Sequence, residues 1–169
     1  MGRMKATERE AFLTKPHIGV IATLRRDGRP YTVPVWWLWK DEAFWLTGTT
    51  TRVWCQMLMR DPRCSLCIEA LDPYPAHVDV DGRAEPLTWP DFDIWPLHDE
   101  LAEKYLAGGR VASAPPIEQM RQIWRSEPRL LFKLVPEVWR AIELRVYRGK
   151  RADQEHQAQQ RGDPLRQTR

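Results

Sequence analysis

Between residues 18 and 71 the apolar side chains alternate in short runs broken by turn residues, which restricts the chain to antiparallel sheet. Ile18, Val20, Ala22 and Leu24 share one face of a first strand, and Asp27-Gly28 forms a hairpin turn. A second strand, about Pro30 to Lys40, sets Val33, Val35, Trp37 and Trp39 on one face and Pro34, Trp36 and Leu38 on the other. Apolar residues on both sides mean that both are covered, one by a barrel interior and the other by a partner chain or a ligand. Pro34 has no N–H, so the ladder is open there on one side. Asp41-Glu42 turns the chain into a third strand, Ala43 to Thr47. A short helix, about Thr51 to Met59, then precedes Asp61-Pro62, a fourth strand from Arg63 to Leu71 and a fifth from about His77 to Glu85.

Elsewhere the pattern is helical. Thr7 and Glu10 have the spacing of a capping box for a helix ending near Leu13, before Pro16. From Pro90 to Glu127 two helices are expected. In one, Leu97, Leu101 and Tyr105 recur every four residues ahead of Gly108-Gly109; the other starts at Pro115-Pro116 with Ile117, Met120 and Trp124 in one stripe. This insert is read either as a cap over a binding groove or as extra packing on the barrel exterior. The last strands are Leu130 to Leu134 and Trp139 to Val146, interrupted at Pro136. The expected organisation is one domain, 1–148, with an insert at about 90–127 and a polar mobile tail, 149–169.

Composition excludes several classes. The net charge of +3 comes from the tail: beyond Arg148, and including it, six basic residues face three acidic ones, leaving 20 of each sign in the body. A neutral body does not offer the basic face of a nucleic-acid binder. Three cysteines give no disulfide framework. The polar N-terminus is unlike a signal peptide, and no apolar run approaches the ~20 residues that span a bilayer. The expectation is a soluble cytoplasmic protein.

One turn carries the chemistry. Thr47, Thr49, Thr50, Thr51 and Arg52 cluster around Gly48 between a strand and a helix. Hydroxyls, free backbone N–H groups and a guanidinium gathered there suit an anion such as a phosphate ester. Threonine is also an ordinary strand-end and cap residue.

The order of these pieces resembles the pyridoxamine-phosphate-oxidase-like family of flavin-binding split barrels. The matching residues are Asp27-Gly28-Arg29-Pro30, Pro34-Val35-Trp36, Leu46-Thr47 with Thr51-Arg52, and Asp61-Pro62-Arg63, with a fainter echo in Val78 to Glu85. The resemblance implies a mainly β fold: a homodimer of six-stranded antiparallel split barrels with a helical insert, holding a flavin in each of two grooves between subunits. Backbone near Pro34, Val35 and Trp36 would meet the flavin ring, and Thr47, Thr51 and Arg52 would hold its phosphate, since a phosphate dianion needs several donors and arginine offers a fork. Thr49 and Trp54, on either side of Thr51-Arg52, complete the cofactor-binding set. Family members often carry a second cation directly after the arginine, where Val53 stands here, and classical members tend to carry an arginine where Val33 stands. The implied function is FMN-dependent reduction or oxidation of a small molecule. Alternatives are a deazaflavin-dependent reductase and a protein that binds flavin or heme without turnover.

Other candidates weigh less. Of the nine tryptophans, Trp36, Trp37, Trp39, Trp45 and Trp54 suit either ring stacking or core and dimer packing. Trp36, beside Pro34, is the best placed to line a groove, and Trp139 is a candidate from the second chain. Cys64 and Cys67 point to opposite faces of a strand and cannot grip one metal, and Cys55 lacks an activating base. His77, Asp79 and Asp81 share the solvated face of a strand. No metal site and no catalytic side chain is expected, because a flavin carries the hydride chemistry itself.

Overall fold

The computed structural model describes residues 2–71, 74–109 and 111–143. Eight strands and four α-helices follow in the order β1 (Gly2–Arg3), α1 (Ala6–Leu13), β2 (Gly19–Leu24), β3 (Pro30–Val35), β4 (Trp37–Lys40), β5 (Ala43–Thr49), α2 (Val53–Arg60), β6 (Arg63–Ala70), β7 (Ala76–Leu87), α3 (Trp95–Leu106), α4 (Ile117–Arg125) and β8 (Arg129–Glu143). The expected tail, 149–169, lies outside the described residues.

All pairings are antiparallel, in the order β3-β2-β6-β7-β8-β5-β4, with β1 added to β8. The two ends of that path, β3 and β4, are consecutive in sequence and separated only by Trp36. Counted as one bent strand they close a six-stranded barrel, which removes the sheet edges. The continuous strand expected over Pro30–Lys40 is therefore corrected: it breaks at Trp36, where the chain leaves the β2 ladder and joins β5. The Tyr105 hydroxyl satisfies the break, accepting from the Trp37 N–H at 3.2 Å and lying 2.9 Å from the His17 carbonyl, to which it donates.

The C-terminal strands are also corrected. Pro136 does not interrupt them: β8 runs unbroken through it, paired with β7 across a bulge at Asp81/Gly82. Proline is tolerated in a ladder at a bulge. Gly82 is needed there, because a Cβ would stand 2.3 Å from the Val135 carbonyl oxygen. The first helix starts earlier than its expected Thr7 cap. Lys5 is the N-cap, and its N–H donates to Glu8 at 2.9 Å.

The barrel interior is filled from alternate strand positions, with Ile21, Val35, Trp37, Phe44, Leu46, Leu66, Ile68, Val78, Val80 and Phe132 fully or almost fully buried. A second core lies outside the barrel. Trp45 and Ala43 of β5 and Leu131 of β8 pack under the insert on Ile94, Leu97, Leu101, Tyr105 and Trp124, flanked by Trp36 and Leu38. The helical insert thus covers the outer face of β4 and β5, and every β5 residue is buried. Helix α2 closes the barrel at Gly48, where Cys55 Sγ and the Trp54 ring occupy the space a side chain would need.

Candidate functional site

The Thr/Arg turn sits at the end of β5, which pairs with the start of β8: Thr49 stands opposite Arg129, and Thr47 opposite Leu131. Thr50 N–H donates to the Pro128 carbonyl at 3.0 Å, tying the turn to the residue before Arg129. Positions diagonal across an antiparallel ladder share a face, so the Arg129 side chain lies along Thr47. Its Nη1 donates to Thr47 Oγ1 at 3.1 Å.

An open cleft of about 220 Å³ lies here, lined by Pro34, Val35, Trp36, Thr47, Arg52, Met120, Trp124 and Arg129. Five of the eight residues marked by sequence, Pro34, Val35, Trp36, Thr47 and Arg52, therefore meet in one place. The other three stand back from it. Thr49 is buried and its hydroxyl lies 3.0 Å from that of exposed Thr51, so each hydroxyl has the other as partner. Trp54 is buried in the barrel core with its ring 5.5 Å from Phe132. Trp139 is held inside the same molecule between Trp39, at 5.2 Å, and Phe44, at 5.6 Å.

A second cation, Arg129 of β8, reaches the same cleft as Arg52. Arg129 is buried, its side chain only 6% exposed, and Glu127 pairs with its Nη2. The guanidinium lies over the Trp124 ring, 4.9 Å from its centre. Burial lowers its pKa, opposed by the Glu127 hydrogen bond and lowered further by the charge of Arg52. Its Nε is buried without a partner among the described residues. Arg52, the N-cap of α2, is exposed, and its guanidinium has no partner among the described residues. Two arginines line one cleft, Arg52 unpaired among the described residues at the N-cap of α2 and Arg129 held by Thr47 and Glu127, a cationic pole whose charge favours an oxyanion.

Thr47 lines this pole without being free to donate to it. His98 of α3 is buried, with Nδ1 2.9 Å from the Ile94 carbonyl and Nε2 3.0 Å from Thr47 Oγ1. A carbonyl only accepts, so Nδ1 carries the hydrogen and Nε2 accepts from Thr47. Burial, the largest cause, lowers the His98 pKa to about 4, so the ring is neutral. Beside the cations the wall is aromatic. The Trp36 ring stacks on Tyr105, with centres 4.8 Å apart and planes 6° apart, and meets the edge of Trp124 at 6.1 Å.

Arg129, His98 and Trp124 were missed by sequence reasoning. Arg129 and His98 lie 82 and 51 positions from Thr47, and no local pattern joins them to it. The other marked residues serve structure. Cys64 is buried and Cys67 exposed, on opposite faces of β6. Asp79 and Asp81 both accept from Arg140, at 3.1 and 2.6 Å. Burial pushes the Cys55 thiol up to about 12.

Barrel and cleft together define an antiparallel β-barrel whose cleft brings two arginines and two tryptophans together. The chain belongs to the pyridoxamine 5'-phosphate oxidase family, whose model matches residues 6–142. Solved structures share the fold. The conserved hypothetical protein Rv2991 from Mycobacterium tuberculosis superposes with a TM-score of 0.65 at 23% identity, covering 84% of this chain and 86% of that one. An F420 reductase gives 0.59 at 22%, covering 77% and 94%. A FAD-binding protein from Mesorhizobium loti gives 0.60 at 23%, covering 85% and 97%. No match was found among curated protein sequences. Among the described residues no helix is long and apolar enough to cross a membrane.

Proposed function

We propose that this chain is a flavin-dependent oxidoreductase acting on a small conjugated or heteroaromatic molecule, with FMN as cofactor. The observation that carries the reading is that Arg52, unpartnered among the described residues, and Arg129, held by Thr47 and Glu127, line one cleft. A phosphate monoester accepts from both. Pro34, Val35 and Trp36 would border the ring, and Trp124 and Met120 would shield it from water. A bound flavin supplies the hydride chemistry. The chain's own residues bind, orient and exclude solvent, and Thr47 acts through Arg129 rather than as a donor.

A second reading has its own support. Glu127 neutralises part of the Arg129 charge, so Arg52, Arg129 and Glu127 together carry one net positive charge. That balance suits a phosphodiester monoanion, as in a deazaflavin coenzyme such as F420.

A homodimer is part of the proposal. Val20 and Ile18 are exposed on the outer sheet face, and Val20 pairs with Pro34, so an apolar surface runs into the cleft wall. A second copy seated there would complete the groove. A cytoplasmic location fits a chain of three cysteines that carries no described disulfide.

The test is spectroscopic. The purified protein is examined for a flavin or heme absorption band, then titrated with FMN, FAD and F420 while tryptophan fluorescence is followed. Quenching by FMN at micromolar protein supports the first reading; quenching by F420 alone supports the second, and quenching by FAD alone overturns both. No quenching by any of them sinks both. Arg52→Ala is expected to weaken flavin binding roughly tenfold or more, the loss of a charge-assisted contact; unchanged binding refutes the anchor.

A further inference from the structure

We propose that His98, on helix α3 of the insert, is the positioning residue of the anion pole: it fixes the Thr47 hydroxyl so that Thr47 receives, and thereby aims, the Arg129 guanidinium. The inference rests on the reading of Arg129 as a ligand for the flavin phosphate.

The chain of donors has one direction. Ile94 sits one turn before His98 in the same helix, and its carbonyl takes both the His98 backbone N–H, at 3.1 Å, and the ring Nδ1–H, at 2.9 Å. That fixes the tautomer, leaves Nε2 as an acceptor and orients the single Thr47 proton toward it. The lone pairs of Thr47 Oγ1 then face Arg129 Nη1. Glu127 holds Nη2 and Trp124 covers the guanidinium face. Each Nη spends one hydrogen on these bonds, and the second hydrogens are the donors left for a ligand in the cleft that Arg129 lines. Were His98 unable to accept, the Thr47 proton would turn toward Arg129, placing donor against donor. Every link is buried, where a misdirected donor is most expensive. The ring is itself wedged edge-on against Trp124, 5.6 Å away, and beside Trp95, 5.5 Å away. Helix α3 and helix α4 therefore both grip Arg129, one through Thr47 and the other through Trp124. The insert sets the geometry of the pole as well as covering it.

Four variants and one spectroscopic observable test this. Phe at position 98 keeps the aromatic bulk and removes the acceptor; Gln returns an acceptor near the place of Nε2. His98→Phe is expected to weaken FMN binding roughly tenfold, the usual effect of misaligning a buried hydrogen bond to a charged group, with His98→Gln within about threefold of wild type. Because His98 acts through Thr47, the doubly substituted Thr47→Val, His98→Phe protein is expected to bind no more weakly than Thr47→Val alone. Nitrogen-15 NMR of the ligand-free full chain is expected to show His98 as the Nδ1–H tautomer and the Arg129 Nε–H exchanging slowly, the latter lost equally in His98→Phe and Thr47→Val. An Nε2–H tautomer, additive losses, or a Phe variant with wild-type affinity and Arg129 exchange overturns the proposal. If the wild type binds no flavin, the functional reading falls. The NMR arm still decides the relay, since it needs no ligand.

Discussion

At Gly48 the Thr/Arg turn of the barrel packs against helix α2, so adding one methyl group there tests how tightly the site is built. A Cβ at residue 48 would lie 2.3 Å from Cys55 Sγ and 2.9 Å from the Trp54 ring. Both neighbours are buried and almost without freedom to retreat: Cys55 is 0% exposed and Trp54 3%. Helix α2 must therefore lift from β5 by a few tenths of an ångström or more. Overpacking of this kind costs about 1–3 kcal/mol. At roughly 2–4 °C per kcal/mol for a chain of this size, Gly48→Ala is expected to lower Tm by about 2–12 °C, read by circular dichroism or calorimetry. Cys55→Ala alone removes a buried thiol and is expected to cost about 1 kcal/mol. Combined, the two should couple: the methyl group fills the space the sulfur vacates, and the double variant should melt well above the sum of the two losses. Because Arg52 caps α2 and lines the cleft, Gly48→Ala should also weaken flavin binding, and the double variant should regain part of it. A Gly48→Ala protein with wild-type Tm, or strictly additive melting losses, would refute the close approach of α2 to β5.

Four other expectations are direct. Arg129→Lys keeps the charge and loses the fork that serves Thr47 and Glu127 together, so flavin titration should show an affinity loss of roughly tenfold or more despite the conserved charge. Tyr105→Phe strips the acceptor from the Trp37 N–H at the barrel's closing bend and should cost about 1–3 kcal/mol in urea unfolding. His98 has a folded pKa of about 4 against ~6.5 unfolded. The unfolded state binds the extra proton, so stability is full above pH ~6.5 and falls toward pH ~4, by up to about 3 kcal/mol. His98→Gln should remove that part of the pH dependence; an unchanged pH profile would show that His98 titrates normally. Val20→Asp should shift the protein to monomer in sedimentation and weaken flavin binding with it, whereas a dimer of unchanged strength would exclude the β2–β3 face as the interface.

Much of the fold was legible because its signals are local. Alternation at Ile18–Leu24 and the Asp27-Gly28 turn, and the Asp41-Glu42 turn with both residues at positive φ, each follow from a few adjacent residues. The errors fell where tertiary contacts override a local rule. Trp36 looks like mid-strand by pattern, and only barrel closure makes it a bend. Pro136 looks like a strand end, and only the opposing bulge at Gly82 lets the ladder pass through it.

By itself the sequence determined a β-rich chain with a Thr/Arg turn between strand and helix, and with it the family. That turn is contiguous, and contiguous residues carry their own geometry. Tertiary structure decided what completes the site. Arg129 reaches Thr47 because β8 pairs with β5, and His98 reaches it because the insert folds over that pair. Neither approach leaves a mark in local sequence: hydrogen bonds across 82 and 51 positions are set by sheet register and by helix packing, which only the folded chain fixes.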